Sequence, residues 1–428
     1  MDARSEMLAL LGSRKQGRSL PRAFYTDPDF YRLDLECIFH REWLFAGHDC
    51  ELAKSGSYLT LQVGDYPVIV VRDGKGTIRA FHNTCRHRGS RICAAEKGKA
   101  VRLVCPYHQW TYELDGRLLF ARDMGADFDT SAFGLKPVHC ESVAGYIFIC
   151  VAQAAPDFAP VRAHLTPYLA PHRLAEAKVA VEKTVVQKGN WKLVWENNRE
   201  CYHCRINHPE LIRSYPEAPS VTGTTGGEEN PEVAEHWHRC EAAGLPSTLR
   251  LSPDGQYRTA RMPLLRDAVS YTMTGKAAVR RPLSDSVLTP QIGTMLLFHY
   301  PSTWNHMLGD HALSFRVQPM GPRETRLTTK WLVHKDATEG IDYSLEELTK
   351  VWDATNEQDR RIIEENQLGV NSPAYEPGPY APEHEQGVTQ FVEWYCRLIG
   401  PRLVDRSRTA GTERDARGVH LSLKTGSR

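Results

Sequence analysis

Hydrophobic and polar positions alternate with a period of two through much of the first third of the chain, and a longer, helical period takes over in the second half. The runs Tyr58–Val63, Pro67–Arg72 and Thr77–His82 predict strands, with Asp73-Gly74-Lys75-Gly76 as a hairpin turn between the last two. Trp110–Leu114 and Arg117–Ala121 flank Asp115-Gly116, the strongest short hairpin signal in the chain, and Tyr146–Val151 predicts a further strand. Ala154–Pro171 holds four prolines and reads as a crossing between domains. Beyond it, Val179–Lys188 is strand-like, and Asn190–Leu211 is helical with a break near its end. Ser220–Asn230 is a loop rich in Gly and Thr. Thr294–Tyr300, Ala312–Gln318 and Arg326–His334 predict strands, and Ser344–Asn366 and Glu385–Ile399 predict amphipathic helices.

This pattern divides the chain into four parts. Residues 1–40, a basic polar start followed by the aromatic-rich Phe24–Phe39, are expected to pack with the second domain. Residues 41–155 form a β-rich domain, 156–400 a mixed α+β domain, and 401–428 a flexible tail poor in large apolar groups. A net charge of +1 gives no pull toward nucleic acid or an anionic membrane. The longest late apolar run, Tyr146–Ala152, is far short of a membrane span, and Met7–Leu11 is too short for a leader. A cytoplasmic location is expected. Eleven cysteines, an odd number without a small-scaffold pattern, then point to clustered Cys and His as metal ligands first.

The first such cluster is Cys85-Arg86-His87, seventeen residues, then Cys105-Pro106-Tyr107-His108. Each pair mixes one thiolate and one imidazole. Zinc sites of Cys2His2 type keep the cysteines together and the histidines together, so zinc is the weaker reading and a [2Fe–2S] cluster the stronger. Two imidazoles on one iron raise the potential above that of an all-thiolate cluster.

The second cluster runs through Glu196-Asn197-Asn198-Arg199-Glu200-Cys201-Tyr202-His203 to Asn207-His208-Pro209-Glu210. His203 and His208 stand about 140° apart on an unbroken helix and would diverge. Pro209 disfavours the α conformation at His208, so the helix should distort there and swing that imidazole round. Two histidines and one carboxylate make the facial triad that leaves iron(II) open positions. Asp359 falls on the apolar stripe of Ser344–Asn366, seven residues after Trp352, and can supply the carboxylate. The competing reading pairs Asp359 with Arg360 or Arg361. Glu200, three residues before His203, can hydrogen-bond that ring. Cys201-Tyr202-His203-Cys204 also contains a C-x-x-C, a redox dithiol or half of a zinc site in other settings.

The first cluster, with Gln109-Trp110-Thr111-Tyr112 and Asp115-Gly116 after it, closely resembles the Rieske domain of ring-hydroxylating oxygenases over about residues 40–155. The second resembles their catalytic domain. The resemblance implies a β-rich Rieske domain followed by a helix-grip catalytic domain, assembled as a head-to-tail homotrimer. It implies a [2Fe–2S] cluster on Cys85, His87, Cys105 and His108, and Fe(II) on His203, His208 and Asp359. Glu200 would link the iron to a neighbouring subunit's cluster, in place of the usual aspartate.

The core Glu-Asn-Asn-Arg-Glu-Cys-Tyr-His-Cys further resembles the branch that demethylates betaines. That implies a monooxygenase removing an N-methyl group of glycine betaine or proline betaine as formaldehyde, with O2 and two electrons. Quaternary ammonium groups are held by aromatic faces, and Tyr202, Phe298, Tyr300 and Trp304 are the candidates, although such aromatics more often serve as core. No arginine stands out for a substrate carboxylate. The alternatives are ring dihydroxylation, oxidation of choline or carnitine, and a Rieske electron carrier without oxygenase chemistry. Gly223-x-x-Gly226-Gly227 lacks the setting of a dinucleotide fingerprint, so a separate reductase is expected, with flavin and a plant-type [2Fe–2S] centre by resemblance.

Overall fold

In the computed structural model, residues 2–125, 127–216, 230–265, 267–284 and 291–404 are described. Two seven-stranded antiparallel sheets organise them. The first runs, in spatial order, Leu44–His48, Tyr146–Cys150, Pro137–Val143, Ile78–His82, Tyr66–Arg72, Ser57–Val63 and Lys97–Lys99. Asp73 closes one of its hairpins, its Oδ1 accepting the amides of Lys75 and Thr77, both at 2.9 Å. A separate three-stranded sheet, Leu103–Val104, Thr111–Tyr112 and Leu118–Phe120, hangs from this domain. Its tight turn needs Gly116, at φ +90°, because a Cβ there would lie 2.4 Å from the Phe81 ring.

The second sheet runs Ala177–Gln187, Glu324–His334, Ala312–Gly321, Thr303–Met307, Thr294–His299, Tyr257–Met262 and Arg250–Leu251. Across it lies the helix Leu345–Asn371. Ser344 caps its start by accepting from Glu347 N, and Leu348, Val351, Trp352, Thr355, Ile363 and Val370 form its buried stripe. The two domains meet through buried polar contacts. Glu51, between strands of the first sheet, takes Lys330 of the second at 2.6 and 2.8 Å, and His48 Nε2 lies 2.8 Å from Ser314 Oγ.

The N-terminal segment docks on the second domain. Asp34 accepts from Trp191 Nε1 at 3.0 Å, from the Tyr395 hydroxyl at 2.7 Å and from the buried ammonium of Lys192. The start of this segment is a helix, Ala3–Ser13, tied down by Arg14 to Glu393 at 2.6 Å. Its sequence carries no apolar stripe to announce it.

Several boundaries differ from those the pattern predicts. The proline-rich crossing contains a helix, Ala159–Leu169: Pro160 falls in its first turn, where a missing N–H costs nothing, and Pro167 falls near its end at the cost of one helical hydrogen bond. The segment Asn190–Leu211, expected to be helical with a break near its end, is two short helices, Trp191–Asn198 and Cys204–Asn207, with the break in its middle. The last helix, Gln386–Val404, runs past residue 400 into the expected tail, and 405–428 lie outside the described residues. Most of the expected loop Ser220–Asn230 also lies outside them, while Asn230 caps the helix Pro231–Ala242, which has no counterpart in the expectation. Among the described residues, no helix is long and apolar enough to cross a membrane.

Candidate active site: two metal-ligating clusters and a cavity

The first cluster sits on two loops built alike. Cys85 N donates to Ser90 O at 2.9 Å and Gly89 N to Cys85 O at 3.0 Å. Cys105 N donates to Trp110 O at 2.9 Å and Gln109 N to Cys105 O at 3.0 Å. The fifth residue of each loop is left-handed, Gly89 at φ +77° and Gln109 at +59°. This repeat brings Cys85, His87, Cys105 and His108 together. Both thiols are buried and in mutual contact, and the two imidazole centroids are 4.7 Å apart. Burial pushes the Cys85 thiol up, so its thiolate needs a positive partner. His87 Nδ1 is buried with no hydrogen-bond partner among the described residues, which suits a nitrogen that ligates a metal. The ring of Trp110 stacks on His87 at 4.9 Å, and the Tyr112 hydroxyl lies 3.3 Å from Cys85 Sγ while accepting Arg86 N at 3.0 Å. The donor set fits a [2Fe–2S] cluster.

The second cluster depends on the break between the two short helices. Glu200 sits in that break, and its Oε2 accepts the amides of Tyr202 and His203. Its Oε1 is 2.5 Å from His203 Nδ1. The contact therefore arises across a turn, where helical spacing had suggested one continuous face. His208 leaves the helix at φ −121°, ψ 65°, the distortion that Pro209 demands. Its Nε2 thereby comes to 3.0 Å from His203 Nε2. Asp359 Oδ1 lies 3.4 Å from His203 Nε2 and 3.1 Å from His208 Nε2, and that buried oxygen has no well-formed hydrogen bond among the described residues. Arg360 does not compete for it, being paired with Glu357 and Glu364 at 2.5 and 2.6 Å.

Three donor atoms thus converge on one point. Burial alone would push His203 down, but Asp359 and Glu200 more than offset it and raise it to about 10. A pocket that favours a cation this strongly, with an orphaned carboxylate oxygen, fits a divalent metal. Cys204 lies near both imidazoles but is joined to Cys201 in a disulfide, so its sulfur is not free to bind metal as a thiolate.

A cavity of about 110 Å³ opens onto these donors. Its sheet wall follows the two-residue period: Arg258, Ala260 and Met262 point into it from one strand, Leu296 and Phe298 from the next, and His306 from the third. Trp352 and Asp359 cover it from the long helix, and Tyr215 and Leu211 come from the chain after His208. Of the four aromatics expected at the substrate pocket, Tyr202 and Phe298 line the cavity. Tyr202 is exposed and stacks on His384 at 4.7 Å. Tyr300 and Trp304 do not line it. Both are core, Tyr300 against Trp195, Phe391 and Trp394, and Trp304 against Trp195 and Phe315.

Two features escaped the sequence reading. Gln358 Oε1 lies 2.9 Å from His208 Nδ1, and Gln358 Nε2 donates to Glu210 at 2.8 Å. Arg258 and Arg199 line the cavity without a carboxylate partner among the described residues. Arg258 points inward with Ala260 and Met262 from a strand that the hydrophobic pattern does not predict, so no signal in the sequence marks it.

Comparison with known proteins gives consistent matches. The family described as Rieske [2Fe-2S] domain matches residues 42–132, and that described as Ring hydroxylating alpha subunit (catalytic domain) matches residues 174–400. The chain is 49% identical over 407 residues to a glycine betaine monooxygenase oxygenase subunit of Pseudomonas aeruginosa, covering 95% of this chain and 94% of that one. It is 49% identical over 405 residues to one from Chromohalobacter salexigens, covering 94% and 90%. Among solved structures, the quaternary ammonium Rieske monooxygenase CntA in complex with gamma-butyrobetaine shares the fold, with a TM-score of 0.67 and 20% identity over 92% of this chain and 98% of that one.

Proposed function

The chain belongs to the Rieske-type ring-hydroxylating oxygenases as a catalytic alpha subunit, and from that premise we propose that it oxidatively N-demethylates a small betaine, glycine betaine or proline betaine. The family's cofactors are a Rieske [2Fe–2S] cluster and Fe(II). The observation that carries the reading is the likeness to glycine betaine monooxygenase subunits, 49% identity over 95% of the chain.

We assign Cys85, His87, Cys105 and His108 to the cluster and His203, His208 and Asp359 to the iron. Iron in that pocket, when bound, supplies the oxidising power that hydroxylates an N-methyl group. The chain's own residues set the stage. Glu200 accepts from His203 Nδ1 and Gln358 from His208 Nδ1, so both rings present Nε2 as the free lone pair toward Asp359. The apolar wall of Leu211, Met262, Leu296 and Trp352 keeps bulk water from the bound methyl group. Dioxygen, two electrons and two protons give the hydroxymethylammonium and one water. Loss of its hydroxyl proton then breaks the C–N bond, leaving formaldehyde and the tertiary amine.

Electrons come from a separate reductase carrying flavin and a plant-type [2Fe–2S] centre, and the protein works in the cytoplasm as a homotrimer. Exposed apolar side chains around the cluster (Val101, Val104, Tyr107 and Phe120) and beside Glu200 (Tyr202 and Ile206) support a second copy covering both rims. Glu200 then stands between the iron and the neighbouring subunit's cluster.

The test is turnover by the reduced enzyme with glycine betaine and proline betaine, following oxygen uptake and formaldehyde. Failure to release formaldehyde from any methylammonium compound rejects the assignment.

A further inference from the structure

Arg258 is an odd residue for its position. The inward positions of its strand are otherwise apolar, and it is only 7% exposed. Its Nη1 is buried without a hydrogen-bond partner, and among the described residues no carboxylate pairs with it. The charged and titratable groups that act on it are Arg199, Tyr300 and Tyr215. Burial and Arg199 push it down to about 9, which still leaves it charged at neutral pH. Arg199 shares the predicament. It is 3% exposed, and among the described residues its Nε has no partner, while its guanidinium meets only neutral groups, the amide of Gln390 at 3.2 Å and the nearby Tyr300 hydroxyl.

Both guanidinium carbons lie over the Phe298 ring, 4.4 Å and 4.8 Å from its centroid. The ring offsets part of their charge by its quadrupole, and it is thereby engaged, not free to wall an ammonium cage. Two like charges buried side by side repel and are poorly solvated, and an anion that joins them relieves both costs. A planar carboxylate answers the guanidinium fork with two parallel hydrogen bonds. The same cavity holds the carboxylates of Glu200 and Asp359, so it offers both signs of charge to one small molecule.

We propose that Arg258, backed by Arg199, seats the carboxylate of the substrate, and that this pair makes the enzyme choose methylammonium compounds that carry a carboxylate over those that do not. The proposal rests on the demethylase reading and names the residue that selects within it. A trimethylammonium alcohol such as choline would bring a third cation to these two, with nothing to satisfy their donors. Trp352, Tyr215 and Tyr202, the remaining aromatics of the cavity wall, are then the surfaces left for the ammonium end.

The experiment compares full-length wild-type enzyme with R258M and R258K, by formaldehyde release with glycine betaine and choline. For R258M, KM for glycine betaine should rise roughly 10–100-fold, as expected for a lost hydrogen-bonded ion pair. The preference for glycine betaine over choline should collapse, with cluster absorbance and iron content unchanged, and R258K should recover part of both. A second arm uses wild type alone, with the neutral-carbon isostere tert-butylacetate and the corresponding alcohol. The acid should bind competitively with glycine betaine and the alcohol should not. An unchanged KM and preference in R258M, or equal binding of acid and alcohol, overturns the proposal. If R258M loses iron or cluster, the wild-type arm decides. If wild type demethylates no betaine, the demethylase reading fails, and calorimetric binding of acid against alcohol still judges the anion seat by itself.

Discussion

His208 Nδ1 faces Oε1 of Gln358 across 2.9 Å, and Gln358 is the residue immediately before Asp359 on the long helix. The glutamine fixes the ring's tautomer and is itself held by Glu210. Replacing Gln358 with Leu should weaken iron binding roughly 10–100-fold, the usual cost of losing such a supporting bond. Gln358→Glu should retain most of it. Iron content per chain, with the Rieske absorbance as internal reference, reads the outcome, and wild-type affinity in the Leu variant would count against the role.

His203→Ala and Asp359→Ala should each leave the cluster's colour in place while abolishing formaldehyde release and the mononuclear iron. The two metal sites sit on separate domains with separate hydrogen-bond networks, so loss at one need not disturb the other. Bleaching of the cluster in either variant would mean that the sites are structurally coupled.

The Tyr112 hydroxyl, 3.3 Å from Cys85 Sγ and already accepting Arg86 N, has its own proton free for the sulfur. A hydrogen bond to a cluster thiolate favours the reduced, more negative state. Tyr112→Phe should therefore lower the cluster's potential. A bond of about 1.5 kcal/mol corresponds to roughly 60 mV for one electron. Redox titration in the electron paramagnetic resonance signal of the reduced cluster measures it, and an unchanged potential rejects the bond.

Glu51 is buried, and although burial alone would raise its carboxyl, Lys330, Lys97 and His48 hold it well below the usual carboxylate range. Because its folded pKa is depressed, the stabilisation is complete above the unfolded value of about 4.3 and is lost progressively as pH falls below it. Glu51→Gln should cost up to roughly 3–5 kcal/mol at neutral pH, since the buried Lys330 keeps only the more distant Glu182, at 3.7 Å, as a partner. It should also flatten the acid limb of thermal stability below about pH 5. An acid limb identical to wild type would assign the pH dependence to other carboxylates.

The residues proposed as metal donors could be grouped from the sequence because their chemistry is local. The spacings Cys85-x-His87 and Cys105-x2-His108 mark one group, Pro209 forecasts the turn of His208, and Asp359 stands out as a carboxylate on an apolar stripe. The cavity wall was not legible for the opposite reason. Tyr300 and Trp304 share a composition with pocket aromatics, and Trp304 even stands directly opposite the cavity-lining Phe298; only their packing against Trp195 keeps both rings from the cavity. Arg258 lies on a strand whose six residues are all buried, so no exposed face alternates with it to mark the period. The helix Ala3–Ser13 has one fully buried residue, Met7, and owes its place to contacts with distant chain such as Glu393.

Because Gln358 and Asp359 are adjacent, the long helix addresses the two histidines with consecutive side chains. A slip of this rod by a single residue, about 1.5 Å along its axis, would misalign both contacts at once. Occupancy of the histidine–aspartate pocket by a divalent ion therefore acts as a latch on the helix's axial setting against the sheet. Amide exchange near its middle should slow when the ion is present, and the holoprotein should melt later by mass action.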